Sequence, residues 1–255
     1  MSLNENPSPA IVAAGLGFHV GGVQILADID LEVAAGSFLG IIGPNGAGKT
    51  TLLNVLSGLL RASAGSVHLE GRDVTHVPPA GRARLGVGRT FQTSSLFNSL
   101  SVFENARLSA QARRGGNARF WRRPREADAA SVAARDALER VGLSDRATRA
   151  TGALSHGDKR KLELAILLAG EARVLLLDEP MAGVHSDDVP LLTALIGELH
   201  GEGRTVLMVE HHMSVVVGLA DTIAVLDSGR LLACGTPDEV IANEDVQSAY
   251  LGQPL

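Results

Sequence analysis

The sequence predicts an α/β fold with a mainly helical insertion, and three observations support that prediction. A buried apolar strand runs into a glycine-rich loop and then into a helix over residues 37–58. Two more apolar strands, RVLLLDEP and RTVLMVEHH, flank an amphipathic helix in the C-terminal half. Between these parts, residues 95–157 show helical rather than strand patterns. Strands that alternate with helices are typical of a largely parallel sheet.

The first elements along the chain are strands around one helix. In DIDLEVAAG the apolar residues Ile29, Leu31 and Val33 alternate with acids, which predicts a half-exposed strand. A buried strand, SFLGII, and a helix, KTTLLNVLSG, come next, and Gly58 is the expected end of that helix. A further short strand is expected in SVHLEG.

The helical insertion is expected from about residue 95, with DAASVAARDALERVGL as its most regular pattern. A basic loop, RRGGNARFWRRPRE, interrupts it. After the insertion, SDDVPLLTALIGELHGEG predicts an amphipathic helix with Ser186 as its N-cap. A hairpin is expected in TIAVLDSGRLLACG, with its turn at residues 227–229, and short helices end the chain.

The composition fits an aliphatic core and narrows the classes of function. The chain has 255 residues, of which 45% are hydrophobic and 3% aromatic. Its net charge of −5 argues against a protein dominated by nonspecific nucleic-acid binding. A single cysteine, Cys234, excludes an internal disulfide and is expected to be a buried apolar side chain. Without a signal peptide or an apolar run of about 18 residues, the chain is expected to be cytoplasmic.

The most specific motif is a phosphate-binding loop that matches G-x-x-x-x-G-K-[ST] between a strand and a helix. Its glycines let backbone N–H groups surround phosphates, and the helix that follows presents its positive end. The lysine would reach the β and γ phosphates, and the hydroxyl of Thr50 would bind Mg²⁺. A chance loop is the alternative, which the placement between strand and helix argues against. The loop consists of Gly43, Pro44, Asn45, Gly46, Ala47, Gly48, Lys49 and Thr50.

Two adjacent carboxylates, Asp178 and Glu179, stand at the end of the apolar strand that begins at Val174. An aspartate at such a strand end can hold Mg²⁺ through water. The glutamate is then free to polarise a water molecule that attacks the γ-phosphate. Alone, this pattern would be read as an ordinary polar strand end. Beside a phosphate loop, the catalytic interpretation is favoured.

Two further polar residues lie where ligands collect in an α/β sheet. His211 follows an apolar strand, and its imidazole could hydrogen-bond the γ-phosphate or the attacking water. The alternatives are a surface histidine or a metal site shared with His212, although adjacent residues at a strand end point apart. Gln92 lies at the start of the insertion and could bind Mg²⁺ or position water. Its alternative is a solvated surface glutamine.

In this order, the motifs resemble the ATP-binding domain of ABC transporters over about residues 13–252. The resemblance implies a P-loop NTPase fold in a single domain over residues 8–253. Its RecA-like core would cover about residues 8–94 and 161–253, with an N-terminal antiparallel β subdomain and an α-helical subdomain at about 95–160. The family motifs map to the phosphate loop Gly43–Thr51, Q-loop Gln92, signature Leu154–Asp158, Walker B Asp178–Glu179, D-loop Ala182–Asp187 and switch histidine His211.

The resemblance also implies a role for each matching residue. The catalytic residues would be Glu179, His211 and Gln92. The Mg²⁺ ligands would be Thr50, Gln92 and Asp178. ATP would contact the phosphate loop together with Thr51 and Val20. In the family's head-to-tail dimer, the signature of one subunit completes the ATP site of the other. The signature contacts would come from Ser155, Gly157 and Asp158.

A narrower resemblance points to the ATP-binding subunits of branched-chain amino-acid importers and their amide or urea relatives. It rests on RTFQTSSLFNSLSVFENARL, EPMAGV, VEHHM and DVQSAYLG. It implies two membrane-spanning permease subunits, a second ABC ATPase subunit that is identical or a paralogue, and an extracytoplasmic solute-binding protein. It places the chain at the cytoplasmic face of the inner membrane, with no nucleic-acid partner. The alternatives are a non-transport ABC ATPase acting on nucleic acid, or a P-loop kinase or GTPase.

The helix start LSHGD departs from the family's signature. His156 replaces a glycine, so that position is expected not to need a glycine backbone. Asp158 replaces glutamine, and the basic residues at 159–161 are expected to offset its charge. Ser155 and Asp158 also fit the S-x-x-[DE] pattern of a capping box, which alone would be the simpler interpretation.

Other positions depart from the family pattern or stay open. Val20 stands where an aromatic residue usually stacks on adenine, so the sequence predicts it only as a nucleotide contact, and Phe18 or another group could supply the stacking. His185 in the D-loop and His212 after the switch histidine replace commoner residues. The loop from Arg113 to Arg125 holds six arginines. It fits a solvated segment, a contact with permease or anionic lipid, or a nucleic-acid contact.

Overall fold

Two β-sheets with surrounding helices form the computed structural model, which describes residues 9–90, 96–113 and 128–249. The ten strands of this part are β1 (Pro9–Val20), β2 (Val23–Ala34), β3 (Phe38–Ile42), β4 (Ala64–Leu69), β5 (Arg72–Asp73), β6 (Val87–Arg89), β7 (Val174–Asp178), β8 (Thr205–Val209), β9 (Thr222–Asp227) and β10 (Arg230–Gly235). The smaller sheet has the order β2-β1-β4-β5, with antiparallel neighbours. The larger sheet has the order β10-β9-β3-β8-β7-β6 and is parallel except for the β9–β10 hairpin.

The helices of the described ranges lie around the larger sheet and in the insertion. They are α1 (Lys49–Leu56), α2 (Pro79–Arg84), α3 (Val102–Arg113), α4 (Ala129–Arg140), α5 (His156–Ala169), α6 (Val189–Gly201), α7 (Met213–Leu219), α8 (Pro237–Ala242) and α9 (Glu244–Ala249). The predicted helical insertion corresponds to α3, α4 and the start of α5. Its predicted boundary at residue 160 falls inside α5, and the domain bounds stay a prediction.

Apolar side chains form two clusters that hold these layers together. One lies between the two sheets and around α1, and it includes Leu16, Ile41 and Leu52. The other joins the opposite face of the larger sheet to the insertion helices, and it includes Phe38 and Leu162. The members are mostly Leu, Val, Ile and Ala, as the low aromatic content predicts. Because strands β3, β7 and β8 are buried along their whole length, they fit the centre of a sheet covered on both faces.

The strand order brings the predicted functional segments to one edge of the larger sheet. β8 lies between β3 and β7, and its Val209 is paired with Ile41 of β3 and Asp178 of β7. The strands are parallel, so their carboxyl ends meet at the same edge. The phosphate loop follows β3, the carboxylates end β7, and His211 follows β8.

One local prediction is confirmed, and two are wrong. The hairpin of β9 and β10 turns at Ser228 and Gly229, both with positive φ. The helix α6 does not use Ser186 as its N-cap, because it begins three residues later and Asp188 holds the N-cap position. Cys234 is exposed rather than buried, since β10 is an edge strand of the larger sheet. None of the helices in the described ranges is long and apolar enough to span a membrane.

Candidate nucleotide site

The phosphate loop adopts backbone conformations that require glycine at two positions. Gly43 has a φ of +150°, and a Cβ there would lie 2.0 Å from the carbonyl oxygen of Leu226. Gly48 has a φ of +98°, and a Cβ there would lie 2.8 Å from Cδ2 of Leu26. At Gly46, also with positive φ, nothing lies within 4 Å of a built Cβ. The loop is therefore packed against its own protein on one side and open on the other.

Lys49 folds back over this loop. Its side chain is buried, and Nζ donates to the carbonyl oxygens of Gly43 (2.7 Å) and Pro44 (2.9 Å). Burial lowers the pKa of Lys49, while the charges of Glu179 and Asp178 act in the opposite direction. The ammonium group therefore sits over the loop and close to both carboxylates of the site.

The N-terminus of α1 fits an anionic ligand. Gly48 occupies its N-cap position, no side chain of the described residues caps it, and its first turn holds no acid. The first N–H groups of a helix need partners, and a phosphate supplies them at the positive end of the helix dipole. Asn45 and Gly46 are exposed, Pro44 is half-buried, and Ala47 is buried with Thr51 half-buried behind it. These features fit a polyphosphate in this loop.

Thr50 and Asp178 meet beside the loop, although they are far apart in sequence. The hydroxyl of Thr50 donates to Oδ1 of Asp178 at 3.1 Å, and the aspartate is 1% exposed. A hydroxyl and a carboxylate are oxygen ligands of the kind that Mg²⁺ prefers. The donor set therefore fits the predicted Mg²⁺ position.

Arg89 is a site residue that the sequence did not reveal. It ends β6, which neighbours β7, and its Nη2 lies 3.1 Å from Oδ2 of Asp178. Burial raises the pKa of Asp178, and the charge of Arg89 is the largest influence that lowers it. Arg89 also donates to the hydroxyl of Ser57 at 2.8 Å, at the end of α1. Its one sequence signal is its place at a strand end close to Gln92.

Glu179 and His211 form a pair at the same edge. His211 Nε2 lies 3.1 Å from Oε1 of Glu179. Glu179 has a φ of +48°, and its N–H donates to the carbonyl of Val209 at 2.9 Å. His212 points elsewhere, with Nδ1 at 2.8 Å from Glu210. The two histidines do not share a site, in agreement with the expectation that adjacent residues at a strand end point apart.

The signature segment forms the capped start of α5. Ser155 is the N-cap, and its hydroxyl accepts the N–H of Asp158 at 3.2 Å. The carboxylate of Asp158 pairs with Arg146, not with the basic residues that follow it. Within that basic run, Arg160 is buried and pairs with Glu163 at 2.8 Å. Arg146 is therefore a partner of Asp158 that the sequence did not predict, and the offset of its charge by residues 159–161 stays a prediction.

The rest of the signature packs against the D-loop side of its own subunit. A Cβ at Gly157 would lie 2.8 Å from Oδ2 of Asp188, so a side chain there would require Asp188 to move. His156 is the first residue of α5, so a side chain fits at that position. Among described residues, the contacts of Ser155, Gly157 and Asp158 include none to the phosphate loop. In the D-loop, His185 is exposed beside Asp187.

Gln92, the predicted Q-loop residue, lies outside the described residues.

Val20 lies at the tip of the β1–β2 hairpin. Val20 pairs with Val23 across the Gly21–Gly22 turn, and these side chains are 59% and 61% exposed. Two residues after Val23, the carbonyl oxygen of Ile25 would lie 3.1 Å from a Cβ at Gly48. The hairpin tip therefore adjoins the phosphate loop and offers two aliphatic side chains to solvent.

Comparison with known families agrees with this geometry. The model of the family described as "ABC transporter" matches residues 26–182. The chain belongs to the ABC transporter ATP-binding family. A second family model, "Branched-chain amino acid ATP-binding cassette transporter", matches residues 230–254 of this ABC protein. As a member of this family, the chain is an ATP-binding ATPase, and the predicted ABC fold class is confirmed.

Curated relatives match nearly the whole ABC chain. The "High-affinity branched-chain amino acid transport ATP-binding protein LivG" of Salmonella typhimurium is 38% identical over 251 residues, which are 96% of this chain and 98% of the relative. BraF of Pseudomonas aeruginosa, with the same description, is 37% identical over 252 residues, 96% and 98% of the two chains. The "Lipopolysaccharide export system ATP-binding protein LptB" of Haemophilus influenzae is 31% identical over 230 residues, 90% and 92% of the two chains.

Solved ABC cassettes have the same fold. A nucleotide-free ATP-binding cassette from an ABC transporter superposes with a TM-score of 0.84 at 29% identity, covering 96% of this chain and all of the other. The ADP conformation of MJ1267, another such cassette, gives 0.83 at 30% identity, with 96% and 99% covered. The similarity extends over the N-terminal sheet, the larger sheet and the insertion helices.

Proposed function

We propose that this chain is the ATP-hydrolysing subunit that energises an importer of branched-chain amino acids or related small polar solutes. The observation that carries the hydrolytic part is the convergence of Lys49, Thr50, Asp178, Glu179 and His211 at one edge of the larger sheet. The solute class is supported by the C-terminal match at residues 230–254 and by the LivG and BraF relatives.

Nucleotide binding begins with the phosphate loop. The N–H groups at the start of α1 and the ammonium of Lys49 bind the phosphates, so Lys49 exchanges its carbonyl partners at Gly43 and Pro44 for phosphate oxygens. Val20 contacts the base at the hairpin tip. Mg²⁺, when bound, neutralises phosphate charge, and Thr50, Asp178 and Gln92 would hold it.

Hydrolysis uses the carboxylate of Glu179 as the base that polarises the attacking water. His211 orients that carboxylate through the 3.1 Å contact with its Oε1, and its imidazole hydrogen-bonds the terminal phosphate. Because Glu179 and His211 follow the ends of the buried strands β7 and β8, the pair is set before nucleotide arrives.

A second ATPase subunit completes the site. Ser155, Gly157 and Asp158 stand at the start of α5 and contact the γ-phosphate held by the opposite subunit in a head-to-tail dimer. The dimer acts on two permease subunits at the cytoplasmic face of the inner membrane, and an extracytoplasmic solute-binding protein delivers the solute. No nucleic acid takes part.

Uptake by cells tests this function. A strain that lacks the gene should lose accumulation of labelled leucine, isoleucine and valine, and the wild-type gene should restore it. Lys49→Ala should fail to restore uptake, although the variant is produced at the same level. Loss of urea or amide uptake alone would reassign the solute. Unchanged uptake of all these solutes would contradict the importer proposal.

A further inference from the structure

A buried carboxylate, Glu210, joins the two segments that carry Glu179 and His211. Glu210 follows β8 directly and is 2% exposed. Its Oε1 accepts the backbone N–H groups of His211 (3.0 Å) and His212 (3.4 Å). Its Oε2 accepts the N–H of Met181 at 3.2 Å, on the segment that follows β7. One side chain thus spans both strand ends.

The segment that Glu210 holds has an unusual backbone. Glu179 adopts a left-handed conformation, with φ at +48°. Its carbonyl accepts the N–H of Ala182 at 3.0 Å, so residues 179–182 form a tight turn that encloses Met181. Non-glycine residues in this region persist only where surrounding contacts fix them. The bond from Met181 to Glu210 is such a contact, and the turn sets the direction of the Glu179 carboxylate.

His212 supports Glu210 from the solvent side. Its Nδ1 lies 2.8 Å from Oε1 of Glu210, and its side chain is 56% exposed. A carboxylate at that distance accepts the hydrogen bond, so Nδ1 is the donor nitrogen of the ring. The sequence alone gave this histidine no function. In the structure, His212 is a side-chain donor to this carboxylate, and the other donors to it among the described residues are backbone N–H groups.

We propose that Glu210 and His212 are positioning residues for hydrolysis, a role that rests on the proposed ATPase function. Their hydrogen bonds in the described part of the chain join them to each other and to backbone N–H groups, not to the phosphate loop. Glu210 fixes the turn of Glu179 and the backbone of His211 relative to each other, and His212 fixes Glu210. A hydrogen bond weakens steeply when its geometry is disturbed, so loss of this support separates the Glu179–His211 pair. The phosphate loop follows β3 and does not depend on this support.

Three variants test the proposal on the full chain, with ATP turnover, KM and the Kd of a fluorescent ATP analogue measured at one salt concentration. Glu210→Gln replaces one acceptor oxygen with an N–H donor, so its side chain holds only one of the two segments. The kcat should fall about tenfold or more, with KM and Kd within about threefold of wild type. His212→Ala should lower kcat about threefold. His212→Asn keeps a donor near the position of Nδ1 and should restore turnover to within about twofold of wild type.

Glu239→Gln is the matched control, because Glu239 also accepts a backbone N–H at the start of a helix, from Thr236 at 2.8 Å, in α8. It should leave kcat unchanged. Thermal unfolding of every variant separates misfolding from mispositioning. Because His212 is exposed, its two variants still test the proposal if Glu210→Gln does not fold. The positioning role alone is overturned if a variant loses ATP affinity by the same factor as kcat. It is also overturned if both Glu210→Gln and His212→Ala keep wild-type turnover. A wild-type chain that neither binds nor hydrolyses ATP overturns the proposed function as well.

Discussion

Arg82 offers the sharpest test of how the phosphate-loop helix is held. It is 2% exposed and donates to four backbone carbonyls. Two belong to the end of α1, Val55 at 2.8 Å and Leu56 at 2.6 Å, and the others are Thr75 at 3.2 Å and Val77 at 3.0 Å. Burial lowers the pKa of Arg82, and the charge of Asp73 partly opposes that shift. We predict that Arg82→Met destabilises the protein strongly.

The magnitude follows from opposing contributions. Each carbonyl left buried without a donor costs about 1–3 kcal/mol. The carbonyl of Val55 keeps the N–H of Gly58 at 3.0 Å, so the gross loss of several kcal/mol comes mainly from the other three. Removing a buried cation returns several kcal/mol of desolvation free energy. The net loss is expected at about 3 kcal/mol, equivalent to a fall in Tm of about 6–12 °C at this chain length. Arg82→Lys should lose most of the same stability, because an ammonium group does not reach four carbonyls at once.

Urea unfolding followed by circular dichroism measures the effect, with Tm from calorimetry as a second readout. Arg84→Met is the matched control, since Arg84 lies in the same helix but is exposed. It should change the free energy of unfolding by less than about 0.5 kcal/mol. If the free energy of unfolding of Arg82→Met lies within about 1 kcal/mol of wild type, this arginine does not hold the end of α1.

Three other predictions concern nucleotide binding and the signature helix. Lys49→Ala removes a cation from the phosphate loop and should raise the Kd for ATP about 10–100-fold, measured by isothermal titration calorimetry; an unchanged Kd would remove Lys49 from the site. Val20→Phe adds a stacking surface at the hairpin tip and should tighten ATP binding about fivefold or more, whereas His19→Phe on the opposite face of the strand should not; equal effects of both would contradict the placement of the base. Asp158→Gln and Arg146→Gln should each cost about 0.5 kcal/mol of stability, and the double variant no more than either alone; additive losses would show that the two side chains do not interact.

Local motifs were predictable from the sequence because their chemistry is contiguous. The phosphate loop needs glycine at positions 43 and 48 for its backbone and lysine beside the helix start, and all lie within eight residues. Asp178 and Glu179 were recognisable as carboxylates at the end of an apolar strand. Ser155 was recognisable as a helix cap, although the N-cap predicted at Ser186 was wrong, since Asp188 holds that position.

Contacts between distant segments were not predictable in the same way. Arg89 reaches Asp178 because β6 lies next to β7, and Glu210 reaches Met181 because β8 lies next to β7. Strand order is a property of the folded sheet, so neither pair has a signature in the sequence. Arg146 reaches Asp158 across a turn of the insertion, which made the adjacent basic residues look like its partners. The position of Gln92 and the role of most of the arginine-rich loop stay predictions.

In the proposed function, Glu179 activates water at an ATP site shared by two subunits. Glu179→Gln with ATP and Mg²⁺ tests it most directly, with turnover and sedimentation measured on the same sample. Glu198→Gln, an exposed glutamate of α6, is the control. We expect an ATP-dependent dimer of Glu179→Gln whose turnover is about 1% of wild type or less, with ATP binding retained. Turnover equal to wild type would contradict the assignment of Glu179, and a blocked variant that binds ATP but stays monomeric would contradict the shared site.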